Sequence, residues 1–301
     1  MKLLKSLSVL ASTVLLGSFA AAYVQEDFDY PSPGSAAGQS GGLGFDPTAW
    51  SFSSVGIATE STVAGLQFSG LATSGNAVLI EAFGGGNTGT LARPWGNSTP
   101  GISDLWISYL IKQDGDVDIT EFAGGTVFGT RFQDGGVGGF TKYATDSKFS
   151  GGFSAPYQIR GGIGSNPDAV ADFSLADDVV YLFLAKFGNI NYGAFTGNTT
   201  TIDIYLFNQA AFNNLTTAGI IETNLASNAS VTASFSNQFE FGTLALNPAD
   251  ALALTVSNGA ATFDSIRAGA NLSDVIVVPE PGSAGMLTVL AALGLCGIRR
   301  R

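Results

Sequence analysis

The chain has 301 residues, with 13 Lys+Arg against 24 Asp+Glu, no His and one Cys. Without His there is no Ser-His-Asp triad, no Cys-His dyad and no imidazole metal ligand; with one Cys there is no internal disulfide and no thiolate zinc cluster. A formal charge of −11 argues against a nucleic-acid binder, and 40 Gly with only 12% charged residues describe an apolar, turn-rich chain, neither disordered nor a helical bundle.

The amino end reads as an export signal for the Sec machinery. Lys2 and Lys5 are followed by an apolar stretch over 7–22 that closes on small residues. Ala20 and Ala22 fit the small-x-small rule of signal peptidase, with cleavage before Tyr23 and cleavage after Ala20 as the alternative. A membrane-anchoring first helix fits less well, because the run is short and ends in small side chains. Export leads to a compartment where disulfides form. This chain uses none, so core burial must hold its body together.

Residues 23–276 read as one all-β domain. The segment 31–44, rich in Ser, Gly and Ala, is expected as an extended entry loop. Within it, 38–42 matches G-x-S-x-G, but a nucleophile elbow needs a strand-to-helix turn and a His base, so a flexible Gly loop is expected. Strands are expected over 77–83, 105–112, 126–132, 179–187, 201–207, 231–241, 252–256 and 262–267. Leu105, Ile107, Tyr109 and Ile111 share one face of their strand, and Ile202, Ile204 and Leu206 share one face of theirs. The stretch 181–185 is apolar on both faces, as a central strand would be. A short helical turn is expected over 209–215. The 22 Phe supply large buried area between two sheets.

Several motifs along this body suggest chemistry. The G-x-G-x-x-G match at 84–89 follows a strand, but Pro94, Gly96 and Pro100 leave no helix to receive a pyrophosphate. Trp50, Trp95 and Trp106 are candidates for stacking on sugar rings, against core packing as the commoner fate of Trp; Trp95, in a loop, is the strongest. Asp114, Asp116 and Asp118 alternate and offer oxygen ligands to Ca²⁺, with Glu121 as a further donor. The run departs from an EF-hand at Ile119 and Gly125, and a solvated hairpin turn explains the same residues. Asp177 and Asp178 are adjacent and would point to opposite faces of a strand, so they do not make a glycosidase pair. Sequons begin at Asn97, Asn198, Asn214, Asn228 and Asn271.

The carboxyl end, 277–301, has three ordered parts: Pro279-Glu280-Pro281, an apolar run over 284–298, and Arg299-Arg300-Arg301. Fifteen helical residues reach roughly 22 Å, short of a ~30 Å hydrocarbon core, so the segment spans only with thinning or snorkelling ends. The arginines would stay cytoplasmic. The two prolines keep the preceding strip extended. Cys296 lies inside the run and reads as a small hydrophobe. Removing both ends leaves eight basic residues against 23 acidic ones, a charge near −15. Such a surface is expected to repel acidic polymers and to attract divalent cations.

The tripartite end resembles the PEP-CTERM sorting signal of exported Gram-negative proteins. The resemblance implies recognition by exosortase, removal of the tail after transient anchoring in the inner membrane, and a destination at the cell surface or in an exopolysaccharide matrix. A plain tail anchor is the alternative. The body resembles the concanavalin A-like, laminin-G-type jelly rolls. The residues that carry this are 26–31 with 38–42, Leu105-Trp106-Ile107-Ser108-Tyr109-Leu110, 181–186 and Phe263-Asp264-Ser265-Ile266-Arg267-Ala268-Gly269. The expected architecture is thus an antiparallel β-sandwich between a signal helix and a single apolar helix. The expected role is that of a non-catalytic surface or matrix protein without a required cofactor. The alternative is a lectin-like, Ca²⁺-assisted carbohydrate binder; a glycoside hydrolase fits less well, since no Glu-x-Asp-x-x-Glu type of strand is present.

Overall fold

The computed structural model describes residues 24–83, 86–94, 96, 104–113, 127–133, 141–149, 157–163, 168–173, 176, 178–188, 199–238, 251–257 and 259–279. Within them the chain runs β1 (Val24–Glu26), β2 (Ser51–Val55), β3 (Thr59–Ala64), β4 (Asn76–Ala82), β5 (Thr88–Pro94), β6 (Leu105–Gln113), β7 (Val127–Gln133) and β8 (Thr141–Phe149). It continues through β9 (Tyr157–Ile163), β10 (Asp168–Phe173), β11 (Val180–Gly188), β12 (Thr199–Phe207), α1 (Gln209–Ala218), α2 (Glu222–Asn228), β13 (Val231–Gln238), β14 (Ala251–Ser257), β15 (Gly259–Gly269) and α3 (Leu272–Val275). All strand pairings are antiparallel.

Two sheets form. One has the order β13-β12-β11-β6-β15-β4-β3, with β1 pairing beside β15; the other has the order β10-β9-β8-β7-β14-β5-β2. Their facing sides share one apolar core. Ile107, Tyr109, Ile111, Phe183, Ile202, Ile204 and Phe263 from the first sheet meet Leu91, Leu252, Leu254 and Val256 from the second. These are the alternating positions that the sequence places on one face. Tyr109 and Phe183, opposite each other in register, stack with centroids 4.7 Å apart. Each buried aromatic or aliphatic side chain of this kind contributes about 1.5–3 kcal/mol.

The eight-stranded sheet is buried on its other side as well. Trp106, Leu110, Leu182, Leu184 and Phe207 form a second core with Phe212 and Leu215 of α1, Leu225 of α2, Leu66 and Phe68 of the β3–β4 connection, and Val275 and Ile276 around α3. Helix α1 presents Phe212 and Leu215 to the sheet three residues apart, as one helical face requires. Asn208 caps it, its side chain accepting from the Ala211 amide at 2.9 Å. The helix thus runs three residues beyond the expected 209–215. Tyr181 to Ala185 are buried throughout, as expected of a central strand.

The entry segment is tied down rather than a free loop. Arg93, 2% exposed, donates from Nε to Thr48 O at 2.8 Å and from its terminal nitrogens to the carbonyls of Gly41, Ser40 and Asp46. The guanidinium also lies 4.8 Å from the Phe45 ring centroid. The G-x-S-x-G stretch is therefore a set of carbonyl acceptors wrapped around one cation, which corrects the flexible loop expected for it.

Candidate ligand-binding face

Helices and loops cover the outer side of the eight-stranded sheet. The outer positions of β5 and β14 on the seven-stranded sheet are buried as well: Ala92, Ala251 and Ala253 form a small cluster of their own, with Thr90 and Thr255 beside them.

The composition of that outer side follows from register. Phe52, Leu91, Leu252, Leu254 and Val256 pack into the shared core, so the intervening residues stand on the outer face. On β2, β5 and β14 these are Ser51, Ser53, Val55, Thr88, Thr90, Ala92, Pro94, Ala251, Ala253, Thr255 and Ser257. Most are small or hydroxylated; those from Thr90 to Ala92 and from Ala251 to Thr255 are buried, and Val55 is exposed. Hydroxyls meet across strands: Thr88 Oγ1 and Ser257 Oγ lie 2.8 Å apart, and Thr90 Oγ1 and Thr255 Oγ1 lie 3.4 Å apart. These pairs satisfy one another's hydroxyls within the sheet.

The pairing extends the same rows onto β7, β8 and β9. Ala253 is in register with Arg131, which is opposite Ala144, which is opposite Gly162. Thr255 is in register with Gly129, then Asp146, then Arg160. Ser257 is in register with Val127, then Lys148, then Gln158 and, on β10, Asp172. The aromatic residues of these strands, Phe128, Phe132, Tyr143, Phe149, Tyr157 and Phe173, all fall at the alternate, core-facing positions.

A second polar cluster lies at the start of β1. Glu26 is 1% exposed and accepts from the Phe28 amide at 2.9 Å, Tyr30 OH at 2.8 Å and Trp50 Nε1 at 2.9 Å. Arg93 stands 3.6 Å from its Oε2. Burial, with the Glu26 charge and hydrogen bond adding, pushes the Tyr30 phenol far above its ordinary pKa. An open pocket of about 240 Å³ adjoins this cluster, lined by Gln25, Asp27, Asp29, Gly41, Gly42 and Leu43 among others. The buried charges are satisfied from within, so the cluster anchors the entry segment instead of waiting for a ligand.

Asp264 lies nearby at a bulge in the β15–β6 pairing, beside Ser265, whose φ is +50°. It is fully buried. Its Oδ2 accepts from the Leu66 amide at 2.7 Å and its Oδ1 from Ser265 Oγ at 3.2 Å. Burial raises its pKa to about 7 against the opposing hydrogen bonds, with the Asp27 charge adding to the rise.

Of the residues singled out in the sequence, Trp50 and Trp106 are 1% and 3% exposed and belong to the two cores, so neither can stack on a sugar. Asp178 sits in a turn before β11 with φ +59° and pairs with Lys112 at 3.7 Å, not within a strand. Pro279 is exposed at the end of the described chain. Ala20, Ala22, Trp95, Asp114, Asp116, Asp118, Glu280, Pro281, Arg299, Arg300 and Arg301 lie outside the described residues. Among the described residues no cluster of three metal-ligating side chains occurs, and no helix is long and apolar enough to cross a membrane. Glu26 and Asp264 lie in two of the segments that carried the jelly-roll resemblance, but nothing in the sequence marked them as buried charges; Arg93 carried no motif, and the carbonyls it meets are distant in the chain.

No known family profile and no curated protein sequence matches the chain. Among solved structures, a protein of unknown function from Shewanella oneidensis MR-1 is 15% identical over 83% of this chain and 87% of that one, with a TM-score of 0.42. The carbohydrate recognition domain of Emp47p is 11% identical over 82% of this chain and 94% of that one, with a TM-score of 0.40. A winged bean acidic lectin complexed with methyl-α-D-galactose is 8% identical over 73% of this chain and 97% of that one, with a TM-score of 0.39. Likenesses this distant assign no ligand or activity here.

Proposed function

We propose that this chain is an exported, non-catalytic surface or matrix protein. In this reading its concanavalin A-like jelly-roll body mediates structural contact or binds carbohydrate. The observation that carries the reading is the architecture: two antiparallel sheets packed over one apolar core.

The sorting-tail reading belongs to the same proposal. Export begins with removal of residues 1–22, and exosortase acts on the Pro-Glu-Pro tail after transient insertion in the inner membrane. Two features support it. Val24, close behind the expected cleavage point, is fully buried in the strand β1 that pairs with β15. At the other end the chain is held through Val277, whose carbonyl accepts from the Ala72 amide at 2.8 Å, and Val278 and Pro279 are exposed. A processing enzyme would meet an accessible strip there.

Two measurements test the proposal. Intact mass of the protein from its native host, with cell fractionation, is expected to give a chain lacking 1–22 and ending near 279–282, in the surface or medium fraction. A membrane-bound chain that still ends at Arg301 would overturn the sorting reading. A glycan array with Ca²⁺ and with chelator is expected to show binding; blank arrays in both conditions would overturn the carbohydrate reading.

A further inference from the structure

We infer that a second copy of this chain pairs with the free edge of β2, antiparallel and across a twofold axis, so that two seven-stranded sheets join edge to edge.

The strands that end the two sheets are β13, β3, β10 and β2. β13 and β10 lie against each other at one side of the sandwich. β3 is covered by the entry segment. The Thr62 amide donates to Gly34 O at 3.0 Å, Ser32 Oγ donates to Thr62 O at 3.0 Å, and Glu60 accepts from the Ala36 and Ala37 amides. At β2 the entry segment reaches only the residue before the strand. Trp50 donates to Gln39 O and accepts from the Gly38 amide, both at 2.8 Å. Among the described residues nothing continues that pairing along Ser51–Val55, and every residue of the strand except the half-buried Phe52 is exposed.

Backbone alternation shows which groups this leaves. In an extended strand the N–H and C=O of one residue point to one side and those of the next to the other. Trp50 directs its pair away from β5, so Phe52 and Ser54 do the same, while Ser51, Ser53 and Val55 face β5. An antiparallel strand with the same outward set satisfies both residues, and β2 of a second copy is such a strand. With Ser53 on the axis, Phe52 of each copy faces Ser54 of the other, and the copies exchange four hydrogen bonds. Val55, 66% exposed, falls opposite Ser51 of the second copy. The next step is closed to pairing, because the entry segment already holds Trp50 and the chain leaves the strand at Gly56, where φ is +70°. Nothing guards the edge. β2 has no proline and no bulge, and no charged residue stands between Asp46 and Glu60, so two chains of net charge −11 meet there without like charges in contact. The contact is short, five residues a side against about 20–30 in a stable interface, so the association is weak and a covalent trap reads it best.

In this register the two Ser53 Cα atoms lie about 4.5 Å apart, within the span of a disulfide. The test oxidises the full chain in mild detergent, with Cys296→Ser removing the native thiol and one cysteine introduced as Ser53→Cys, Ser51→Cys or Ser273→Cys. Linked dimer is read on a non-reducing gel. Ser53→Cys is expected to give at least fivefold more dimer than Ser51→Cys, whose counterpart lies four residues, or ~14 Å, away along the strands, and than the exposed Ser273→Cys on α3. Adding Ser54→Pro removes an outward N–H and spares the β5 pairing, and should lower the Ser53→Cys dimer at least fivefold. Equal linking at the three positions would mean chance collision and would overturn the inference. More linking by Ser51→Cys than by Ser53→Cys would overturn this pairing. No dimer from a folded Ser53→Cys chain would overturn it in favour of a strand supplied by another protein. Should Ser54→Pro fail to fold, Ser54→Lys decides, since it sets two like charges at diagonal positions across the axis: linking weakened at least fivefold supports the pairing, and unchanged linking overturns it.

Discussion

Asp264 makes the stability of this protein depend on pH in a direction opposite to that of a salt-bridged carboxylate. Its native pKa is about 7 against an ordinary 3.8, so between those values the folded chain holds a proton that the unfolded chain has released. Stability contributed by that proton is complete below the unfolded pKa and is lost as pH rises through the folded one. A shift of this size corresponds to about 4 kcal/mol across the window. At this chain length that is on the order of 10 °C in Tm. Asp264→Asn keeps the size and an acceptor for the Leu66 amide but does not titrate. Urea denaturation of both proteins at several pH values from 4 to 8 isolates the residue, because every other titrating group is common to the pair. The expected outcome is that native stability relative to the Asn variant falls by about 4 kcal/mol as pH rises. A difference independent of pH, or one that grows with pH, would refute the argument that burial outweighs the hydrogen bonds from Leu66 and Ser265.

Three further outcomes follow from the packing. Arg93→Ala leaves Glu26 charged and buried and strips donors from four carbonyls, so it should cost about 3–5 kcal/mol in urea titration and raise amide exchange over 40–48. Gly75→Ala should cost about 2 kcal/mol or more in the same titration, because Gly75 has φ +77° and a Cβ there would lie 2.1 Å from the Asp27 carbonyl oxygen. Phe212→Ala, between Phe68 at 5.3 Å and Phe207 at 6.5 Å, should cost about 3–5 kcal/mol in urea titration.

The central strands were legible because one strong signal marked each of them. Alternation in β6 and β12 and the two-sided apolar run in β11 placed their core faces correctly. The strands left unread lack that signal. β8, Thr-Lys-Tyr-Ala-Thr-Asp-Ser-Lys-Phe, alternates no clear apolar set with a polar one, and β2 and β3 are rich in Ser and Thr. β5 contains Gly89 and ends at Pro94, which reads as turn chemistry, yet it pairs with β14 along its whole length. The polar cluster at the start of β1 was illegible for a different reason. Glu26, Trp50 and Arg93 come from three separate segments and meet only once the entry segment folds across the end of the core.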